Sequence, residues 1–64
     1  MSDLVSIIMP NYNSARFIEE SIKSVINQTY KNWELIICDD NSNDNSKDIA
    51  KSYESSNQRI KVIQ

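Results

Sequence analysis

The sequence predicts an α/β fold in which three short parallel strands alternate with two helices. Apolar, β-branched runs begin near residues 4, 33 and 60, and residues with helical apolar spacing fill the two intervals between them. Polar turn-forming residues separate these segments. Because the connections are short, the order β-α-β-α-β calls for a parallel sheet with right-handed crossovers.

The first strand is predicted at residues 4–9, an apolar run that ends at Pro10. Since the run is apolar at nearly every position, it is typical of a strand buried on both faces. The following residues, 10–13, have the composition of a turn. Asn13 or Ser14 is placed to cap the next helix, and Asn13 is also a candidate ligand contact.

The first helix is predicted at about residues 14–27. Its apolar residues recur at helical spacing and form one stripe, while Glu19 and Lys23 make a favourable i,i+4 pair on the wet face. The stripe consists of Phe17, Ile18, Ile22, Val25 and Ile26.

The second strand is predicted at residues 33–38, and eight polar residues follow it at 39–46. A second helix is expected at about residues 45–54, with Asp44 or Asn45 as its cap and Asn45 and Asp48 near capping-box spacing. Trp33 is expected to be a packing anchor and Cys38 a small core residue. A third strand begins at residue 60.

Two successive crossovers of the same hand place both predicted helices on one face of the sheet. The strands are apolar on both faces, so the second face needs a cover from later sequence or from another chain. A chain of 64 residues without a disulfide is also small for an independent domain. We therefore expect residues 1–64 to be the truncated first half of a nucleotide-binding α/β domain.

Composition excludes several classes of function. The chain has no glycine, so it contains neither a G-x-G-x-x-G fingerprint nor a Walker A loop. It has no histidine and one cysteine, which removes histidine-dependent catalytic sites and internal disulfides. A net charge of −2 argues against nucleic acid as a partner. No apolar segment approaches the length of a membrane helix, and the expected location is the cytoplasm.

Ligands of open parallel sheets bind beyond the carboxyl ends of the strands, where residues 10–13 and 39–42 are expected to meet. Tyr12 offers a flat ring for a base, or it packs over the end of the first helix. Asp39 and Asp40 diverge if strand geometry persists through them, so that one carboxylate turns inward and can accept hydrogen bonds from a base or ribose. The alternative is a solvated turn whose acids cap the second helix.

The polar loop resembles a calcium-binding loop, but the resemblance fails at decisive positions. With Asp39 as position 1, position 6 is Asp44 rather than glycine and position 12 is Ala50 rather than glutamate. A frame that begins at Asp40 fails at the same two places. No metal site is therefore predicted in this chain.

Three blocks of the sequence, taken together, resemble the opening of family 2 inverting glycosyltransferases, enzymes of the GT-A fold. The blocks are VSIIMPNYN at residues 5–13, SVINQTY at 24–30 and WELIICDDNSND at 33–44. They agree in order and spacing and span nearly the whole chain. The resemblance implies a Rossmann-like sheet and the transfer of a sugar from a nucleotide diphosphate to a hydroxyl acceptor.

The resemblance assigns nucleotide-binding roles to Pro10, Tyr12, Asn13, Asp39 and Asp40. Pro10 and Tyr12 would form the wall of the nucleoside pocket, and Asp40 would bind the base, usually uracil. Asp39 would support the loop or contact the ribose. The commonest family loop is Asp-Asp-Gly-Ser; Asn41 stands in the glycine position here, and asparagine tolerates the left-handed backbone.

The family's D-x-D metal motif and its catalytic base both follow later strands, so no catalytic residue is expected in this chain. The resemblance implies Mg²⁺ or Mn²⁺ for a full-length enzyme, a UDP-sugar donor, a role in polysaccharide biosynthesis, and cytoplasmic location with membrane association left open. The partner of the uncovered sheet face is expected to be the remainder of the domain or a second copy. The alternative function is a non-catalytic nucleotide-binding or association module.

Overall fold

The computed structural model describes residues 3–64, and Met1 and Ser2 of the predicted unit lie outside the described residues. The chain forms a three-stranded parallel sheet in the order β1-β2-β3, with a helix in each connection. The prediction of a β-α-β-α-β, Rossmann-like arrangement is confirmed. The elements are β1 (Val5–Asn11), α1 (Ile18–Ile26), β2 (Trp33–Asp39), α2 (Ser46–Ser56) and β3 (Ile60–Ile63).

The core lies between one face of the sheet and both helices. Burial alternates along β2, because successive side chains of a strand point to opposite faces. The buried residues of β2 pack against both helices and β3, and Trp33 is a buried packing residue as predicted. The buried apolar set is Ile18, Ile22, Trp33, Leu35, Ile37, Ala50 and Ile60.

The opposite side of the sheet, called here the open face, has no helix among the described residues. Ile8 and Ile63 are 59% and 52% exposed on it. Cys38 shares this face because it lies one residue from the buried Ile37, and it is half-buried. The expectation that Cys38 is a core residue is therefore wrong, since strand alternation places its side chain away from the helices.

β1 does not end at Pro10 but continues through it to Asn11. The N–H of Val5 donates to Asn32 and the carbonyl of Asn11 accepts from Asp40, so odd-numbered residues turn their backbone groups toward β2. Even-numbered Pro10 therefore faces the free edge of the sheet, where its missing N–H interrupts no ladder bond.

α1 begins at Ile18, four residues later than predicted, and a tight turn precedes it. The carbonyl of Ser14 accepts from the N–H groups of Phe17 and Ile18, each at 2.8 Å. Neither Asn13 nor Ser14 caps the helix, because the side chain of Asn13 binds the β2–α2 loop and that of Ser14 donates to the carbonyl of Tyr12. Phe17 falls outside the buried stripe and is 62% exposed.

α2 begins one residue later than predicted and extends two residues further, to Ser56. Its capping position is Asn45, whose side chain makes no capping bond, so the predicted capping box with Asp48 is absent. Asp44 instead accepts the N–H of Ser46 at 3.0 Å, which confirms the alternative that Asp44 serves the helix start. Neither helix in residues 3–64 has the length and apolar character needed to span a bilayer.

Candidate functional site

The candidate site is built where β1 and β2 end side by side. Asn11 and Asp39 are the last residues of the two strands and lie directly opposite each other in the parallel register. Both turn toward the helices and are buried, at 1% and 4% exposure. A polar pair thus closes the core at the carboxyl end of the sheet, where ligands of such sheets bind.

The carboxylate of Asp39 is held by three donors. Its Oδ1 accepts from Ser42 Oγ at 2.7 Å and from Asn11 Nδ2 at 2.7 Å, and its Oδ2 accepts from the N–H of Ser42 at 3.0 Å. The hydrogen bond from the Ser42 hydroxyl is the largest influence on the pKa of Asp39 and lowers it. Burial raises the pKa and so opposes this effect. The Ser42 N–H, the Asn11 amide and the charge of Lys47 lower the pKa further. The net effect keeps Asp39 ionised at neutral pH.

The amide of Asn11 joins both ends of the β2–α2 loop (residues 40–45). Its Nδ2 donates to Asp39 before the loop and to Ser46 Oγ after it, at 3.0 Å, with a longer contact of 3.4 Å to Ser42 Oγ. The other amide atom, Oδ1, is buried and has no hydrogen-bond partner within residues 3–64. The Nδ2 group of Asn11 therefore donates to both flanks of the loop, whereas its Oδ1 accepts no hydrogen bond within residues 3–64.

A second set of bonds joins the β1–α1 loop (residues 12–17) to the β2–α2 loop. Asn13 Oδ1 accepts from the N–H groups of Asn43 and Asp44 at 2.6 and 3.3 Å, and the N–H of Ala15 donates to Asp44 Oδ2 at 3.0 Å. The N–H of Asn13 donates to Ser42 Oγ at 3.1 Å. The two loops thus form one hydrogen-bonded unit.

Asp44 is the anchor of that unit on the α2 side. The hydrogen bond from the Ser46 hydroxyl is the main cause that lowers the pKa of Asp44; partial burial opposes it, and the N–H groups of Ser46 and Ala15 lower it further. An ionised Asp44 accepts from Ala15 in the β1–α1 loop and from Ser46 at the start of α2, so it ties the first loop to the second helix.

Two asparagines adopt the left-handed backbone that these loops need. Asn13 has φ of 49° and Asn41 has φ of 57°. Asparagine takes this conformation more readily than other residues that carry a Cβ. The prediction that Asn41 preserves the turn in place of glycine is confirmed.

Four of the five predicted site residues are exposed at this edge, namely Pro10, Tyr12, Asn13 and Asp40. Of these, Asn13 uses its side chain to bind the β2–α2 loop. Tyr12 is 57% exposed, so more than half of its surface is open to solvent. The N–H of Asp40 donates to the carbonyl of Asn11 at 2.9 Å, which fixes its backbone while its carboxylate faces solvent. The predicted divergence of the two acids is confirmed, with Asp39 inward and Asp40 outward.

Two of the predicted residues, Asn13 and Asp39, use their side chains in the hydrogen-bond network of the loops. Sequence reasoning assigned no role to three further residues of the network: Asn11, Ser42 and Ser46. A signal for Asn11 was present, because it continues the alternation of Ile7 and Met9 toward the helices. The assumption that β1 stops at Pro10 concealed it.

The described residues do not provide a metal site. No group of three or more acidic, histidine or cysteine side chains converges within residues 3–64. Asp39 and Asp40 point apart, and both oxygens of Asp39 already accept hydrogen bonds. The two adjacent acids therefore do not fit a divalent cation held between them.

Comparison with known proteins places the chain beside bacterial glycosyltransferases. It is 55% identical over 60 residues to the UDP-Glc:alpha-D-GlcNAc-diphosphoundecaprenol beta-1,3-glucosyltransferase WfgD of Escherichia coli, and 54% identical over 61 residues to the putative glycosyltransferase EpsE of Bacillus subtilis. Each alignment covers 94% of this chain. The chain spans only 23% and 22% of the length of these two relatives.

A third relative is the putative teichuronic acid biosynthesis glycosyltransferase TuaG of B. subtilis, 45% identical over 60 residues and covered over 24% of its length. Among solved structures, the mannosyltransferase PcManGT from Pyrobaculum calidifontis, in complex with GDP-Man and Mn²⁺, superposes with a TM-score of 0.82. That match covers 92% of this chain and 18% of the other, at 24% identity, and establishes a shared fold.

The profile of glycosyl transferase family 2 matches residues 6–64, which include both strand ends and both loops of the candidate site. The three sequence blocks that resemble this family form β1, the end of α1 with its following turn, and β2 with its loop. On this match, the chain belongs to glycosyl transferase family 2.

Proposed function

We propose that this chain is the nucleoside-binding part of an inverting glycosyltransferase that transfers a sugar from a nucleotide diphosphate donor to a hydroxyl acceptor. One observation carries the proposal: the two loops at the carboxyl edge of the sheet are bonded into one unit that leaves Tyr12 and Asp40 exposed. A preformed edge with an aromatic ring and a free carboxylate suits a flat, hydrogen-bonding base.

Each exposed residue has a chemical role in this proposal. The ring of Tyr12 stacks on the base, and Pro10 adds apolar surface beside it. The Asp40 carboxylate accepts an N–H of the base, which suits the imide N–H of uracil. Asp39 supports the loop instead of contacting the ribose, because it is buried and both of its oxygens accept hydrogen bonds from the protein.

The proposed donor is a UDP-sugar. The printed name of the E. coli relative includes UDP-Glc, and that of TuaG places it in teichuronic acid biosynthesis. These names support a role in polysaccharide biosynthesis, with a nucleotide-diphosphate sugar as the small-molecule partner. We further propose a cytoplasmic location. The remainder of a longer family 2 domain would then supply the acceptor site and the catalytic base.

The negative charge of this edge of the sheet supports a metal requirement for the complete enzyme. The edge carries three acids, Asp39, Asp40 and Asp44, and a nucleotide diphosphate is itself an anion. A cation such as Mg²⁺ or Mn²⁺, held by residues outside this chain, would neutralise the diphosphate and stabilise the leaving group. We propose that this chain alone binds the nucleoside and catalyses no transfer.

The test is a titration of the chain with UDP and with UMP, followed by the NMR shifts of backbone amides. We expect shifts at residues 11–13 and 40–42, and similar affinities for the two nucleotides because this edge contacts the nucleoside. Asp40→Ala should weaken binding about tenfold or more, the effect of losing one hydrogen bond to a charged group.

Asp3→Ala is the matched control, because it removes the same charge from an exposed residue that precedes β1 at the far end of the sheet. It should leave both affinities unchanged. The proposal is wrong if the folded chain shows no shifts with either nucleotide, or if Asp3→Ala and Asp40→Ala weaken binding equally.

A further inference from the structure

We propose that Asn11 is the positioning residue of the nucleoside site, and that its amide group holds Asp40 in the orientation that binds the base. This inference rests on the proposed function and deepens it, since it names a residue that acts on the base through another. Asn11 is 1% exposed, so its effect on a ligand passes through the loop.

The first argument is that Asn11 holds Asp40 from two sides. Its carbonyl accepts the N–H of Asp40 at 2.9 Å, and its amide Nδ2 binds the preceding carboxylate, Asp39, at 2.7 Å. The same Nδ2 binds Ser46 at the far end of the loop at 3.0 Å. Asn11 therefore binds the backbone of Asp40 and the side chains of Asp39 and Ser46 on either side of the loop.

The second argument is that position 11 holds an asparagine and not an apolar residue. The Oδ1 atom of Asn11 is buried without a partner in residues 3–64, and a buried unpaired acceptor lowers stability. An apolar residue of similar size would avoid that penalty but would remove one of the three donors to Asp39 and the bond to Ser46 Oγ. An amide at this position is thus poorly explained by packing and well explained by the two bonds that it donates.

The third argument is that the orientation of the amide is determined. Asp39 is ionised and accepts only, so the NH₂ group of Asn11 must face it and a flipped amide would place two oxygens in contact. The charged neighbours are Asp39 on β2, Asp40 and Asp44 in the β2–α2 loop, and Lys47 on α2, whose charge acts on Asp39. Exchanging the amide for a carboxylate therefore adds a like charge beside Asp39.

The test compares uridine binding by the native chain, by Asn11→Asp and by the swapped variant Asn11→Asp/Asp39→Asn, from pH 5 to pH 8. Uridine carries no phosphate, so its own charge stays constant over this range. In Asn11→Asp two carboxylates share one site, which raises the pKa of one of them. We expect binding about tenfold weaker than native at pH 8 and recovery toward native as the pH falls and the pair takes up a proton.

The swapped variant restores one amide facing one carboxylate and has the composition and net charge of the native chain. It should recover most of the affinity at pH 8 and lose the pH dependence. Because the pair is compensated, this variant tests the inference even if Asn11→Asp does not fold at pH 8. Asn27→Asp, an exposed site at the end of α1, is the control for charge and should bind as the native chain does at every pH.

Two results would overturn the inference. One is a folded Asn11→Asp that binds uridine like the native chain, or that is weakened equally at pH 5 and pH 8. The other is a folded swapped variant that stays as weak at pH 8 as a chain lacking Asp40. Failure of the proposed function is distinguishable, because in that case the native chain itself does not bind uridine.

Discussion

The hydrogen bond between Ser42 and Asp39 offers a quantitative test of how the candidate site is held. Replacing Ser42 by alanine removes the 2.7 Å bond that its hydroxyl donates to the carboxylate and the 3.1 Å bond that it accepts from the N–H of Asn13. A bond to a charged group contributes about 1.5–3 kcal/mol. The N–H of Asn13 is exposed and gains water in exchange, so we expect Ser42→Ala to lower the free energy of unfolding by about 2 kcal/mol at pH 7.

The pH dependence of that loss identifies its cause. The Ser42 bond lowers the pKa of Asp39 in the folded state, so its contribution is complete above the unfolded pKa of about 3.9 and disappears as the pH falls through the folded value. Ser42→Ala raises the folded pKa. The difference in stability between the native chain and the variant should therefore be about 2 kcal/mol at pH 7 and clearly smaller at pH 3.

Urea unfolding followed by tryptophan fluorescence measures both values, because Trp33 is the single tryptophan and is 3% exposed. Ser55→Ala is the matched control, since Ser55 makes only an exposed bond to the carbonyl of Lys51 at 3.2 Å. It should change stability by less than about 0.5 kcal/mol at either pH. An equal loss for Ser42→Ala at pH 7 and pH 3 would refute the reasoning and assign the effect to packing.

Two further comparisons use the same urea assay. Leu35→Ala, at a fully buried position of β2, should lower the free energy of unfolding by about 2–5 kcal/mol. Ile8→Ala on the open face should lower it by less than about 1 kcal/mol. Similar losses for the two variants would mean that the core does not lie between the sheet and the helices. Asn41→Val should lose about 1–2 kcal/mol at its φ of 57°, and Asn41→Gly should stay close to native; equal losses would show that the turn does not depend on the left-handed backbone.

The order of elements could be predicted from the sequence because periodicity is a local property. The apolar run before Pro10 and the spacing of Ile18 and Ile22 each determine an element without reference to distant residues. The left-handed turn at Asn41 was also predictable, since asparagine is one of the few residue types that adopt it readily.

The hydrogen bonds between the two loops could not be predicted, because they join residues about thirty positions apart in the sequence. Asn13 was expected to cap the helix beside it, but its side chain binds Asn43 and Asp44 instead. Phe17 fits the helical stripe, yet the helix begins one residue after it and its ring is exposed under Arg16, whose guanidinium carbon lies 5.7 Å from the ring centre. Local pattern gives no information on which of two competing partners a polar side chain chooses.

The single thiol of the chain provides a way to measure the solvent accessibility of the open face. Cys38 lies on that face, in register with Pro10 of β1 on one side and Ile63 of β3 on the other. A maleimide or iodoacetamide reacts with this thiol only as fast as the face is accessible. The alkylation rate of Cys38 therefore reports, without any introduced label, whether the open face is covered or accessible to solvent.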